Sequence, residues 1–372
     1  MTKLLVASDL HLSDRIWKHK AIEGDSYFSW EQIVDFAINY KVSGVVLAGD
    51  ILDKQVNLSR PIQELLKGIK KLAEKNIHVY FNQGQHEYQE NPWMLIASMN
   101  NVTWLHNKII DFHGWNLVGC DYQNEERLKT FLQSSTAMAA DILICHQVWL
   151  EFMGEHAKPQ GSFADIPQSV SYLITGDYHE HIVTKVERND SDLIVLSPGS
   201  THLRSLSETE AKEIFLLDLA GKPTIRNVPL ATRRLFKFQI DDTMTIKKIE
   251  EKINNAIVLN KDYCEATGLP DQLQKPVIQL SLMNVKSDMI IKIQEKYDDL
   301  VHLFFKPLVE KTDVEDNEVS TVVDKKISLL NSLDVFVSKE KNPLVYSLAL
   351  AMLTEPDADQ ALKRWIEENS NV

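Results

Sequence analysis

Five short stretches carry carboxylates and imidazoles close together: SDLHL with Asp9 and His11, AGDILD with Asp50 and Asp53, NQGQHEY with Gln85, His86 and Glu87, ICHQ with His146, and TGDYHEH with Asp177, His179 and His181. Carboxylate oxygen mixed with imidazole nitrogen suits borderline divalent ions such as manganese, iron or zinc. In an extended chain the alternation at Asp9 and His11 puts both side chains on one side. A carboxylate such as Asp50, alone on its strand tip, can bridge two ions, and two ions about 3.5–4 Å apart can hold a hydroxide and clamp a phosphoryl group for in-line attack. Taken singly, each stretch is weak, since a lone His after a strand is ordinarily structural and an Asp after Gly ordinarily belongs to a turn. Five of them at successive strand ends form a pattern.

The elements that position them alternate. KLLVASD, VVLAGD and IHVYFNQGQHE read as buried strands running into polar loops. Between them, FSWEQIVDFAINYKVSG and RPIQELLKGIKKLAEKN have apolar residues at helical spacing, the first ending near Gly44 and the second with Pro61 in its opening turn. This order predicts parallel βαβ units. Further on come a strand pair in NKIIDFHGWNLVGCD, a helix in NEERLKTFLQSS, and strands in ADILICHQ, SYLITGDYHEH and LIVLSPGST. Each polar cluster follows the C-terminal end of a strand, the edge at which open α/β sheets bind ligands.

The order DLH, GD, GQHE, CHQ, GDYH resembles the signature of the calcineurin-like metallophosphoesterases, DxH, GD, GNH[DE], H, GHxH, over roughly residues 1 to 220. The resemblance implies a mixed α/β sandwich flanked by helices and replaces the purely parallel sheet. It also implies two divalent ions, manganese or magnesium. The first would be held by Asp9, His11, Asp50 and His179, and the second by Asp50, Gln85, His146 and Asp177. A hydroxide between the ions attacks phosphorus. His86 would face the substrate and assist the leaving oxygen, with Glu87 orienting it and Asp53 supporting the site or capping a helix. Two residues depart from the pattern. Gln85 stands where the family has a metal-binding Asn, and Asp177 stands at the first His of GHxH. Both fall at the second ion, and the added charge of Asp177 favours manganese or magnesium over zinc. Read alone, GDYHEH offers His179 with His181 as the ligand pair. Aligned on Gly176, it offers Asp177 with His179 and leaves His181 as a supporting or DNA-facing residue.

A narrower resemblance, carried by the block from Ser8 to Lys54 and by VLSPGSTHLRS, is to bacterial and phage SbcD-type nucleases, relatives of the eukaryotic meiotic-recombination nuclease. It implies a nuclease subunit that hydrolyses DNA phosphodiester bonds, a homodimer, and an SbcC-type ATPase partner bound through C-terminal helices. A stand-alone phosphoesterase acting on small esters and a non-catalytic scaffold are the alternatives. The domains expected are a metallophosphoesterase domain at 1–224, a small α+β capping domain at 225–310, an acidic linker at 311–325 and a helical partner-binding tail at 326–372. Trp17 and the run Lys18, His19, Lys20 are weak candidates for DNA contact, and ENPWMLIASM for the dimer surface.

At 372 residues, 44% hydrophobic and 25% charged, the chain can bury sizeable cores. Its formal net charge of -13 argues against a general affinity for polyanions, so nucleic acid would be engaged locally. Cys120, Cys145 and Cys264 are too few and too scattered for a disulfide framework, which points to a reducing cytoplasm. The sequence shows no signal-peptide core and no stretch of about 18 apolar residues for a membrane span.

Overall fold

The strand KLLVA faces two cores at once. Leu4 and Val6 turn one way, Leu5 and Ala7 the other, and all four are fully buried. A strand buried on both faces has to be covered on both. The computed structural model, which describes residues 2–14, 23–53, 59–87, 99–153, 158–189, 191–208, 211–283, 285 and 287–307, shows what covers them.

Two six-stranded mixed sheets lie face to face. The first has the order β12-β11-β1-β2-β3-β4, built from β1 (Lys3–Ala7), β2 (Gly44–Ala48), β3 (His78–Asn82), β4 (Val102–Trp104), β11 (Lys212–Asp218) and β12 (Thr224–Leu230). The second has the order β5-β6-β7-β8-β10-β9, built from β5 (Ile109–Phe112), β6 (Trp115–Cys120), β7 (Ile142–His146), β8 (Tyr172–Gly176), β9 (Ile182–Val186) and β10 (Leu193–Ser197). The middle strands are parallel, and β5, β9, β11 and β12 join antiparallel at the edges. Leu4, Val6, Val46 and Ala48 of the first sheet pack against Ile142, Ile144, Ile174 and Leu196 of the second. The outer face of the first sheet is covered by α1 (Asp25–Asn39) and α2 (Ser59–Ala73), and that of the second by α3 (Glu125–Leu132) and the segment around Trp149 and Phe163. The sandwich flanked by helices implied by the resemblance is therefore present, and the parallel units are its centre.

Helix α1 buries Trp30, Ile33, Val34 and Ala37, the spacing of one helical face. It stops at Asn39, short of the expected Gly44, because Lys41 enters the left-handed region (φ 52) and the Val42 amide closes back on the Ala37 carbonyl at 3.1 Å. Two short helices, α4 (Ser135–Met138) and α5 (Leu150–Met153), complete this part.

The boundary expected at 225 falls on β12, which is hydrogen-bonded to β11 along its whole length. The change of sheet comes later, between Leu230 and Leu235. There β13 (Leu235–Asp241), β14 (Val277–Met283) and β15 (His302–Pro307) form a parallel three-stranded sheet covered by α6 (Ile246–Thr267) and α7 (Ser287–Tyr297). The buried guanidinium of Arg233 fastens this unit to α1. It donates to both oxygens of Asp25 at 3.0 Å and to the carbonyls of Lys275 and Gln272 at 2.7 and 3.2 Å. The linker and tail expected at 311–372, Trp17 to Lys20, and ENPWMLIASM apart from Met99 lie outside the described residues.

Candidate active site

The predicted site residues sit past the C-terminal ends of β1, β2 and β3 in one sheet and β7 and β8 in the other, where the two sheets' edges meet. Asp9, His11, Asp50 and Asp177 all have positive φ, at 51, 40, 47 and 77°. Among the described residues they make up half of the eight non-glycine positions in that region. Such backbone is costly by about 1–3 kcal/mol per residue and persists only where surroundings hold it, typically at functional sites. Here the Asp9 amide donates to the Gly49 carbonyl (3.1 Å), the His11 amide to the Asp50 carbonyl (2.8 Å), and the Asp177 amide to both oxygens of Asp9 (3.2 Å). Asp9 and His11 are thus brought together by left-handed backbone, not by the extended chain read from their alternation; β1 ends at Ala7, before either of them.

Two glycines of the motifs have steric causes. Gly49 has φ 83° and lies against the His146 ring, and a side chain at Gly84 would meet the Asp50 carboxylate. Asp50 is held from beneath by the His86 amide, which donates to Oδ1 at 3.0 Å.

The donor atoms converge. Asp50 Oδ2 lies 3.4 Å from His146 Nε2 and 3.6 Å from His11 Nε2. Asp9 Oδ1 lies 3.7 Å from both His11 Nε2 and His179 Nε2, and 3.9 Å from His146 Nε2. Asp177 Oδ1 is 3.8 Å from His146 Nε2 and accepts from the Gln85 amide at 2.8 Å. Ligands about 2.1 Å from a shared ion stand about 3–4 Å from one another, so these separations fit. Two groups, Asp9–His11–His179 and Asp9–Asp50–His146, could each hold an ion. Among the described residues Asp50 Oδ2 and His146 Nε2 are buried with no hydrogen-bond partner, an arrangement that fits a cation. A third group, His11–Asp53–His86, is spatially possible, but Asp53 Oδ1 already accepts from His86 Nδ1 (2.9 Å) and from Arg204 (3.1 Å).

The imidazoles are oriented from behind. His146 Nδ1 donates to the Ala48 carbonyl at 2.8 Å, which can only accept, so in the neutral ring Nε2 is the nitrogen left with a lone pair for the site. His179 Nδ1 meets Glu208 Oε1 at 3.0 Å. Burial, and then the Arg204 guanidinium, hold His11 well below its ordinary pKa, which keeps it in the neutral, ligating form. Burial works against a charged His146, but the carboxylates of Asp50, Asp9 and Asp177 outweigh it and raise its pKa.

His86 is one-quarter exposed and rests edge-on against His11, with its Nδ1 on Asp53. The orienting contact expected of Glu87 therefore belongs to Asp53. Glu87 Oε1 instead accepts from the Ile51 and Gly84 amides (3.0 and 3.4 Å), joining the second and third motif loops, and burial followed by repulsion from Asp50 pushes its pKa up to about 8. His181 is not brought to the cluster. It contacts the Pro198 carbonyl, Glu213 and the Phe215 ring.

Three functional residues escaped the sequence reading, all in RSLSETEAK. Arg204 donates to His11 Nε2 (2.5 Å) and to Asp53. Glu208 braces His179 and is itself held by Ser200 (3.0 Å) and Lys212 (2.9 Å). The signal was a run of opposite charges leading directly into a buried strand, where unpaired charge is not tolerated.

The calcineurin-like phosphoesterase family matches residues 2–195, more than half of the chain. A protein named DNA double-strand break repair protein Mre11 from Methanococcus maripaludis is 23% identical over 297 residues, covering 74% of this chain and 76% of its own. One of the same name from Sulfurisphaera tokodaii is 23% identical over 356 residues, covering 87% and 92%. Among solved structures, a dimetal phosphatase from Danio rerio covers 60% of this chain and 95% of its own, at a TM-score of 0.42 and 11% identity. No described helix is long and apolar enough to cross a membrane.

Proposed function

This chain belongs to the calcineurin-like phosphoesterases, and we propose that within that family it is a metal-dependent nuclease that hydrolyses DNA phosphodiester bonds. The observation that carries the phosphoesterase chemistry is the convergence of Asp9, His11, Asp50, His146 and His179 in two overlapping groups that could each hold an ion, with Asp50 Oδ2 and His146 Nε2 buried and unpartnered among the described residues. The names of the relatives support DNA as the substrate.

Asp9, His11, Asp50 and His179 would hold one divalent ion, and Asp50, Gln85, His146 and Asp177 the other. Bound there, two such ions supply a nucleophilic hydroxide and neutralise charge developing on phosphorus. Manganese is the expected ion, since the oxygen-rich second set disfavours zinc. The chain's own residues do the rest. Ala48 and Glu208 fix which imidazole nitrogen faces the site. Asp53 fixes His86 so that its exposed edge meets the leaving oxygen, to which it delivers a proton.

Incubation with manganese and labelled linear duplex DNA, single-stranded DNA and a chromogenic phosphodiester tests this reading. Cleavage of both the DNA and the small diester is expected. Cleavage of the small ester alone would sink the nuclease assignment and leave a small-molecule phosphodiesterase; no cleavage of anything would leave a scaffold. His86→Ala should keep metal binding and lose about 10²–10³-fold in turnover.

We also propose a homodimer, a capping role for the unit built on β13–β15, and an ATPase partner of the SbcC type engaged by residues 326–372. Size-exclusion chromatography tests the first, duplex-binding footprints with the unit's surface charges reversed the second, and co-purification with and without the residues after 325 the third.

A further inference from the structure

We propose that Arg204 clamps the substrate phosphate, and that it competes with the first ion for the lone pair of His11. This rests on the phosphodiesterase reading only in taking the phosphate to be part of a substrate.

His11 Nε2 faces Asp9 Oδ1 at 3.7 Å and Asp50 Oδ2 at 3.6 Å, so it is the atom through which His11 would reach an ion. The Arg204 guanidinium already donates to that same atom at 2.5 Å. A neutral imidazole nitrogen has a single lone pair in the ring plane, which serves either an N–H donor or a metal, not both. Loading the ion must therefore move that guanidinium nitrogen.

The other end of the guanidinium need not move. Its second terminal nitrogen donates to Asp53 at 3.1 Å, and Asp53 also holds His86 Nδ1 at 2.9 Å. The Arg204 amide is tied to Glu208 at 3.2 Å. A guanidinium pivoting on Asp53 keeps one charge-assisted hydrogen bond and turns the N–H groups freed from His11 toward the reacting group. The planar fork of Arg suits two phosphate oxygens, where a Lys would offer only a point charge. Arg204 is 22% exposed and can reach such a group, whereas Lys212, the cation on the far side of Glu208, is 2% exposed and held by Ser200 and Glu208. Asp53 then carries two working groups: His86 for the leaving oxygen and Arg204 for the non-bridging oxygens. This explains why a carboxylate close to the ligands is committed to hydrogen bonds with them.

The test uses the full-length chain and two probes, manganese alone and orthophosphate. Calorimetric titration of metal-free protein with manganese should show the tighter site bound at least as tightly in Arg204→Met as in the wild type, because a competitor has been removed. Orthophosphate binding to the manganese-loaded protein should weaken about 10-fold in Arg204→Met, the loss of a charge-assisted hydrogen bond, and less in Arg204→Lys. Weaker manganese binding in Arg204→Met, with an unchanged melting temperature, would show that Arg204 merely buttresses His11 and would overturn the proposal; so would unchanged phosphate affinity. If Arg204→Met does not fold, the same two readings on Arg204→Lys decide. Neither probe depends on turnover. Failure of the wild type to cleave any diester would therefore count against the phosphodiesterase reading and leave the Arg204 result standing.

Discussion

The two halves of the metal cluster are built differently. Around Asp9, His11 and His179, the ligand-bearing loops are fixed by a buried charged network: Glu208 on His179, and Ser200 and Lys212 on Glu208. Around His146 and Asp177 the bracing is thinner. His146 is fully buried and tied to a strand carbonyl, but Gln85 is exposed, and its one polar contact on that side is with Asp177 itself. Orientation of ligands by their outer partners typically governs metal affinity by 10–100-fold. The first half is therefore expected to be the high-affinity, preorganised site, and the second the adjustable one. Gln85 and Asp177, the residues that depart from the family pattern, both stand in the adjustable half.

In the proposed two-ion arrangement Asp50 belongs to both halves, so its removal should erase the difference. Asp50→Asn should abolish hydrolysis by about 10³-fold or more, and calorimetry should show both manganese sites weakened together. Loss of one site with the other intact would show that Asp50 does not bridge. Next in size is a paired comparison of outer and inner residues. Glu208→Ala should weaken the tighter manganese site about 10–100-fold, while Gln85→Ala should weaken only the looser site, by less than 10-fold. The reverse ranking would invert the reading of the two halves. Smaller again is Asp177→His, which restores the residue of the family pattern. It should shift the looser site's preference from manganese toward zinc by about 10-fold, measured as the ratio of the two dissociation constants.

The residues proposed as ligands stand out in the sequence because their types and their place after apolar strands are local properties. Asp9, His11, Asp50, His146 and His179 could be picked out before any fold was known, as could the strands whose apolar runs end at them. What held them could not. Arg204 is 193 residues from His11 and 151 from Asp53, and nothing in RSLSETEAK says that β10 and β11 will carry it to the end of β1. The same limit explains Glu87. A carboxylate next to His86 in sequence invites pairing with it, but the turn after β3 sends Glu87 inward to backbone amides and leaves His86 to Asp53. The boundary at 225 missed β12 for a related reason: this strand turns Val228 and Leu230 inward and leaves most of its other residues exposed, as expected of an edge strand, and composition cannot tell an edge strand from the start of a new unit.

The wall of the first half contains one more buried imidazole, and it supplies the smallest expected effect. His202 is 1% exposed, and neither ring nitrogen has a hydrogen-bond partner among the described residues. Burial, and then the nearby Arg204 charge, lower its pKa to about 3. The unfolded chain, with an ordinary value near 6.5, binds a proton more readily than the folded one does. The stability that depends on a neutral His202 is therefore complete above about pH 6.5 and declines as the pH falls toward 3. Between pH 7 and 5.5 the decline amounts to about 1 kcal/mol. His202→Met, which removes the titration and leaves no hydrogen bond broken, should be about 1 kcal/mol less sensitive to that pH change than the wild type when unfolding is followed by urea titration in chelator. Parallel pH profiles would mean that His202 finds a partner for its proton in the folded protein. The first half would then be less rigidly closed to water than its network of buried charges implies.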